Sequence, residues 1–197
     1  MQIKVKPMGV YQTNCYIVTV DNKDFIVDPG VNATEWVMQN TTNPVAILNT
    51  HGHFDHVWSN AELQEKLNVK LYTPKGDVPL LTASEWMPDL PPSTPDIMVN
   101  PDETLVIEGV KVKFHHFPGH CPGCSMIEIE DAIFSGDFIF ERSIGRTDFP
   151  YSSPSDMKNS LNKFKKLDFD KTLYPGHGGT TTVKQEQQHA DYWINSL

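Results

Sequence analysis

Apolar and polar residues alternate, or run on as Ile, Val, Tyr and Phe, over residues 2–6, 14–20 and 24–28, which predicts three strands. Asp21-Asn22-Lys23 is the expected hairpin turn between the second and third. Asn32-Ala-Thr-Glu35 has capping-box spacing and predicts a short helix to about Gln39. After Pro44, Val45-Ala-Ile-Leu48 is apolar throughout, as in a strand buried on both faces. A helix from about Val57 to Leu67 and a strand near Val69–Tyr72 follow. Residues 74–102 hold seven prolines and little periodicity, so they read as a loop insertion with Trp86 and Met87 as candidate lid residues. Strand patterns resume at 104–107, 110–117, 125–130 and 132–134. Ser153-Pro-Ser-Asp156 opens a helix with Met157, Leu161 and Phe164 on one face. Leu173-Tyr174 is a short strand, and Thr182-Val-Lys-Gln185 caps a final helix that buries Val183, Ala190, Ile194 and Leu197.

Strands fall into two blocks, each closed by helices, and this favours two packed sheets, mainly antiparallel or mixed, with helices outside. A length of 197 residues suits one domain, 1–197, that can bury a core without disulfides. With 39% hydrophobic and 21% charged residues the chain is too apolar for disorder, yet no apolar run reaches the ~18 residues of a membrane span. Met1–Pro7 alternates like a strand and lacks the apolar stretch of a signal peptide. Three cysteines are too few for a disulfide scaffold, and a cytoplasmic location is expected. Sixteen Lys plus Arg against 25 Asp plus Glu, net −9, argue against a nucleic-acid partner. A small-molecule partner, no membrane, and a monomer or homodimer are the expectations.

Candidate chemistry gathers in the histidines. Thr50-His51-Gly52-His53-Phe54-Asp55-His56 follows the buried strand 45–48 directly and offers four metal-ligand side chains within six residues. In extended chain His51 and His53 project to the same side, while a helical turn beginning near Asp55 sends Asp55 and His56 elsewhere. That geometry serves two neighbouring ions better than one. Imidazole with carboxylate suits Zn, Fe or Mn rather than Ca or Mg. Pro118-Gly119-His120, Phe134-Ser-Gly-Asp137 and Tyr174-Pro-Gly-His177-Gly178 each place one more ligand-type side chain just past a predicted strand, beside Gly or Pro that permits a tight turn.

In that order these motifs resemble the metallo-β-lactamase-fold superfamily, and Asp28-Pro29-Gly30 fits it too. The resemblance implies an α/β (α+β) fold, a four-layer αββα sandwich of two mixed β-sheets with helices on the outer faces. It implies two divalent metal ions, with zinc placed first and iron or manganese as alternatives. His51, His53 and His120 would hold one ion, Asp55, His56 and His177 the other, and Asp137 would bridge them. Asp28 would support the metal loop from behind the ligands. A water between two such ions has its pKa lowered from 15.7 towards ~7, so the implied reaction is metal-assisted hydrolysis, with Asp55 orienting the nucleophile or shuttling a proton.

Ser143-Ile-Gly-Arg-Thr-Asp-Phe-Pro150 and Thr180-Thr-Thr-Val183 are similar to phrases of the small glyoxalase II-like hydrolases, which cleave S-acylglutathione thioesters. Full-length members continue into a helical domain with glutathione-binding basic residues, whereas this chain ends one helix after His177. The resemblance therefore implies a thioester and leaves the thiol carrier open. Arg146 is a candidate for binding a substrate carboxylate, with an ion pair to Asp148 as the equal alternative. The alternative enzyme is a mononuclear-iron persulfide dioxygenase using His51, His120 and Asp137; a non-catalytic metal-binding protein is a third reading. The Asp55 pattern and the Gly-Arg-Thr-Asp phrase point away from β-lactam hydrolysis. Cys121-Pro-Gly-Cys124 has redox spacing but sits between strands beside a ligand rather than opening a helix, which favours a structural role.

Overall fold

The N-terminal alternation becomes a six-stranded sheet in the computed structural model, which describes residues 1–82 and 87–197. It holds, in spatial order, β1 (Gln2–Met8), β2 (Thr13–Val20), β3 (Lys23–Val27), β4 (Pro44–Leu48), β5 (Lys70–Pro74) and β6 (Ile97–Val99). Pairing is antiparallel from β1 to β3 and parallel from β3 to β6. A second six-stranded sheet contains β7 (Thr104–Ile107), β8 (Val110–His116), β9 (Ser125–Ile129) and β10 (Ala132–Gly136). Past a small hairpin, β11 (Ile139–Phe140) with β12 (Ser143–Ile144), that sheet is completed by β13 (Thr172–Pro175) and β14 (Thr181–Thr182). Its order is β14-β13-β10-β9-β8-β7, and β10 runs parallel to β13.

Each inner strand feeds two cores. Tyr16, Val18, Phe25, Val27, Ala46 and Leu48 meet Val112, Phe114, Ile127, Ile129 and Phe134 between the sheets. Their sequence neighbours Cys15, Ile26 and Ile47 point outward to Ala33, Val37 and Leu63 of helices α1 (Ala33–Asn40) and α3 (Asn60–Leu67). Met126, Ile133 and Leu173 point the other way, to α4 (Pro154–Phe164) and α5 (Val183–Gln187). Burial on both faces explains why Val45–Leu48 is apolar throughout, and the result is helix, sheet, sheet, helix. Among the described residues no helix is long and apolar enough to cross a membrane.

Several local expectations change. Asn32 adopts a left-handed conformation (φ 65°) and makes no side-chain cap; the Ala33 N–H donates instead to the Gly30 carbonyl and to Ser59 Oγ. The helix expected over 57–67 is two, α2 (Phe54–Val57) and α3, because Ser59 leaves helical geometry to bond Pro29 and Gly30. Within 74–102 lie a 3-10 turn (Lys75–Leu81) and β6 as well as loop. Met87 packs beside Val57 and Leu81, and Trp86 lies outside the described residues. The final helix is likewise two, α5 and α6 (Ala190–Ser196), since Gln188 and His189 bond three residues back; Ile194 and Leu197 are only partly buried.

Parallel pairing aligns strand ends. β3 and β4 finish together in one sheet, β10 and β13 in the other. The two edges are stitched where they meet: the Ser125 N–H donates to the Thr50 carbonyl (2.9 Å), Asn14 N–H to Gly176 O (2.7 Å) and Tyr16 Oη to Pro175 O (2.7 Å). One cleft therefore receives the loops that follow β3, β4, β8, β10 and β13.

Candidate metal centre

The chain leaves β3 at Asp28, a buried residue held at φ 50°, the left-handed region that a non-glycine residue adopts only under constraint. Its carboxylate accepts from the Thr50 N–H (2.8 Å) and Thr50 Oγ1 (2.6 Å), and its Oδ2 lies 2.9 Å from His56 Nδ1. Asp28 thus braces the start of the His51–His56 loop and turns His56 Nε2 into the cleft. His120 is fixed in the same manner: its Nδ1 lies 2.8 Å from the Arg146 carbonyl, leaving Nε2 to face inward.

All seven predicted ligands come together at these strand ends. Ligand atoms of His51, His53 and His120 lie within 4.8 Å of one another, and so do those of Asp55, His56 and His177. Asp137 stands between the trios, with Oδ1 3.3 Å from His56 Nε2 and Oδ2 3.5 Å from His120 Nε2 and 3.4 Å from His177 Nε2. A third grouping, Asp28 with His51 and His56, is also compact. It makes a poor ion site, because both Asp28 oxygens already accept hydrogen bonds.

Two observations fit a metal. His51 Nε2 is buried and finds no hydrogen-bond partner among the described residues, an arrangement costly for a polar atom unless a cation receives it, while His56 Nε2 meets the carboxylates of Asp137 and Asp55 at 3.3 and 3.5 Å. The charge pattern agrees. Burial pushes His51 well below the usual histidine range and His53 down to about 3, so both are neutral donors. Burial opposes ionisation of Asp55, yet His56 and His177 outweigh it and hold the carboxyl at about 2. Asp137 is likewise held well below the carboxylate range, with His56 outweighing burial. Conversely, Asp137 and Asp55 outweigh burial to lift His177 to about 9 and His56 well above its ordinary value. Protonated His56 and His177 supply the positive charge these carboxylates need, and a bound cation would take the place of those protons. There is no room to spare around them either: a Cβ at Gly176 would collide with Asp137 Oδ1 and His56 Cε1.

Three supports escaped the sequence reading. Thr13 Oγ1 donates to Asp55 Oδ2 at 2.7 Å. The Tyr11 carbonyl lies 3.1 Å from His177 Nδ1. Asp77, fully buried in the 3-10 turn, accepts from the Gly52 N–H between His51 and His53, from the Gly123 N–H and from Cys121 Sγ. One carboxylate therefore ties the first ligand loop to the loop that carries His120. Burial pushes the Asp77 carboxyl up, and its donors only partly offset this. Cys121 and Cys124 are buried in the outer helix–sheet cluster and do not line the cleft. Arg146 does line the cleft mouth, but its Nε and Nη2 donate to Asp148 Oδ1 and Oδ2 at 2.8 and 2.7 Å. Of its two expected roles the ion pair is the one formed, and it uses Nε and Nη2 of the guanidinium.

Comparisons with known proteins point the same way. The sequence model of the Metallo-beta-lactamase superfamily matches residues 8–177. A hydroxyacylglutathione hydrolase of Haemophilus influenzae is 31% identical, over 100% of this chain and 99% of its own. Among solved structures, the B3 metallo-beta-lactamase BLEG-1 superposes with a TM-score of 0.87 at 29% identity, covering 98% of this chain and 99% of that one. TTHA1623 in a di-iron-bound form gives 0.81 at 33% identity, covering 93% and 96%.

Proposed function

The chain belongs to the metallo-beta-lactamase superfamily, and from that premise we propose that it is a two-metal hydrolase of thioesters, with S-acylglutathiones as the nearest known class. The observation that carries this reading is the pair of ligand trios meeting on one carboxylate, Asp137. Two bound divalent cations would supply an ionised water near neutral pH and polarise the scissile carbonyl. Zinc is the first choice for that donor set, with iron or manganese as alternatives. The three free cysteines, all buried, suit a reducing compartment and hence the cytoplasm.

The side chains divide the remaining work. Asp28 and the Arg146 carbonyl hold the rings of His56 and His120 with Nε2 inward, so neither ring has to reorganise during turnover. Asp55 is too acidic to keep a proton at neutral pH. Its part is to accept a hydrogen bond from the attacking water and aim it, steadied by Thr13. The aromatic rim would displace water from the part of a bound substrate laid against it.

A dioxygenase built on His51, His120 and Asp137 would leave Asp55, His56 and His177 without an ion, and the convergence of those three ligand atoms within 4.8 Å favours the two-metal arrangement. The likeness to BLEG-1 brings in β-lactams as a second substrate class. The test is zinc-loaded protein assayed in parallel on S-lactoylglutathione, a chromogenic cephalosporin and, with an oxygen electrode, glutathione persulfide. Thioester cleavage without oxygen uptake is expected. Oxygen uptake by an iron form, or turnover of the cephalosporin alone, would overturn the thioester reading, and silence on every substrate would favour a binding protein.

A further inference from the structure

Above the metal ligands the cleft, about 310 Å3 in volume, is walled by Tyr11, Phe54, Phe140, Ile144 and Phe149. Tyr11 stands exposed in the loop between β1 and β2 and meets Phe54 edge-on, ring centroids 5.2 Å apart. The Phe140 ring lies 6.0 Å from that of His177, and the Phe149 ring 5.9 and 6.0 Å from those of His53 and His120. Aromatic surface thus reaches both ligand trios. Val10, 88% exposed beside Tyr11, continues the apolar surface beyond the rim.

Charge is scarce at the same place. Apart from histidines at the ligand positions, Arg146 is the one basic residue among the described residues lining the cleft, and it donates through Nε and Nη2 to Asp148, with its Cζ 4.3 Å over the Phe149 ring. A substrate carboxylate could still meet the Nη1 edge, but on a side chain 64% exposed such a pair contributes little. Residues 83–86 contribute Glu85 and no basic residue to the sequence. A glutathionyl group brings two carboxylates and a lactoyl group a hydroxyl. Laid against aromatic walls these groups lose water without gaining partners, whereas a hydrocarbon arm gains from every contact.

We propose that the arm this cleft holds is apolar: an arylacetyl or similarly bulky hydrocarbon acyl group in thioester linkage, on a thiol recognised little beyond its sulfur. This rests on the thioester reading above and narrows it. Water adds to the carbonyl carbon and the C–S bond breaks. Sulfur leaves with the bonding electron pair and takes up one proton, so thioester and water give carboxylic acid and thiol with no further reactant.

The experiment is a two-by-two comparison on metal-loaded protein: phenylacetyl and lactoyl thioesters, each carried on glutathione and on N-acetylcysteamine. The phenylacetyl esters are expected to show kcat/KM about tenfold higher or more on both carriers, and the carriers to differ by less than about threefold. Phenylacetate should inhibit at lower concentration than lactate. Tyr11→Ala, at an exposed loop position where the fold is not at stake, should shrink the phenylacetyl preference mainly through KM. A lactoyl preference, or an advantage of about tenfold or more for glutathione over N-acetylcysteamine, overturns this inference and leaves the thioester reading standing. No cleavage of any of the four by protein carrying its metal overturns both.

Discussion

His51, His53 and His120 face Asp55, His56 and His177 across a single carboxylate, yet the two trios are supported differently. The first consists of buried imidazoles on two loops that Asp77 ties together from behind. The second mixes a carboxylate with imidazoles, and its outer member, His177, has 31% of its side chain exposed and leans on the Tyr11 carbonyl of a surface loop. A site whose donors are already aimed loses less on binding than one that must gather them. The first trio should therefore be the tighter holder, and the second the one that opens to solvent and substrate.

Asp137→Ala breaks the comparison altogether. By removing the group common to both trios it should cost more than the ~10–100-fold typical of a supporting residue, abolishing turnover while circular dichroism stays native. His53→Ala and His177→Ala separate the halves. Each should abolish turnover, but after dialysis His177→Ala should retain about one ion per chain by elemental analysis, and His53→Ala less. Equal retention by the two would remove the asymmetry. Asp77→Ala acts on the first trio alone: it leaves the buried Gly52 and Gly123 N–H groups without their acceptor, at ~1–3 kcal/mol each. Tm should fall by about 5–10 °C, and affinity for the more tightly held ion by ~10–100-fold in a chelator titration. The smallest effect belongs to Thr13→Val, which removes only the hydroxyl from Asp55; the weaker ion should bind up to about tenfold less tightly, with stoichiometry unchanged.

What the sequence displayed, and what it hid, follows from how locally each feature is encoded. The gathering of the seven candidate ligands was legible because four sit in one short run and the others each follow an apolar strand beside Gly or Pro. The two-block strand order foreshadowed two sheets, and Val45–Leu48 foreshadowed burial on both faces. Asp77 was invisible: it is an isolated acid in a Pro-rich stretch, and its partners lie at Gly52, Cys121 and Gly123, far along the chain. Thr13 was hidden for the same reason, 42 residues from Asp55. The break at Ser59 depends on the Pro29–Gly30 carbonyls, a tertiary contact that overrides the helical pattern of residues 57–67. Asn32 had the spacing of a cap, but it sits in the left-handed region and not in the extended one a cap adopts, with Gly30 and Ser59 accepting from the Ala33 N–H. Arg146 stood open between two roles, and its pair with Asp148 forms through Nε and Nη2, a choice that spacing alone does not make.

The central claim is that two ions share this cleft through Asp137, and an anomalous difference map from crystals of metal-loaded protein tests it most directly. Two peaks about 3.5–4 Å apart are predicted, one among His51, His53 and His120 and the other among Asp55, His56 and His177. A single peak on His51, His120 and Asp137, with the second trio vacant at saturating metal, would contradict it.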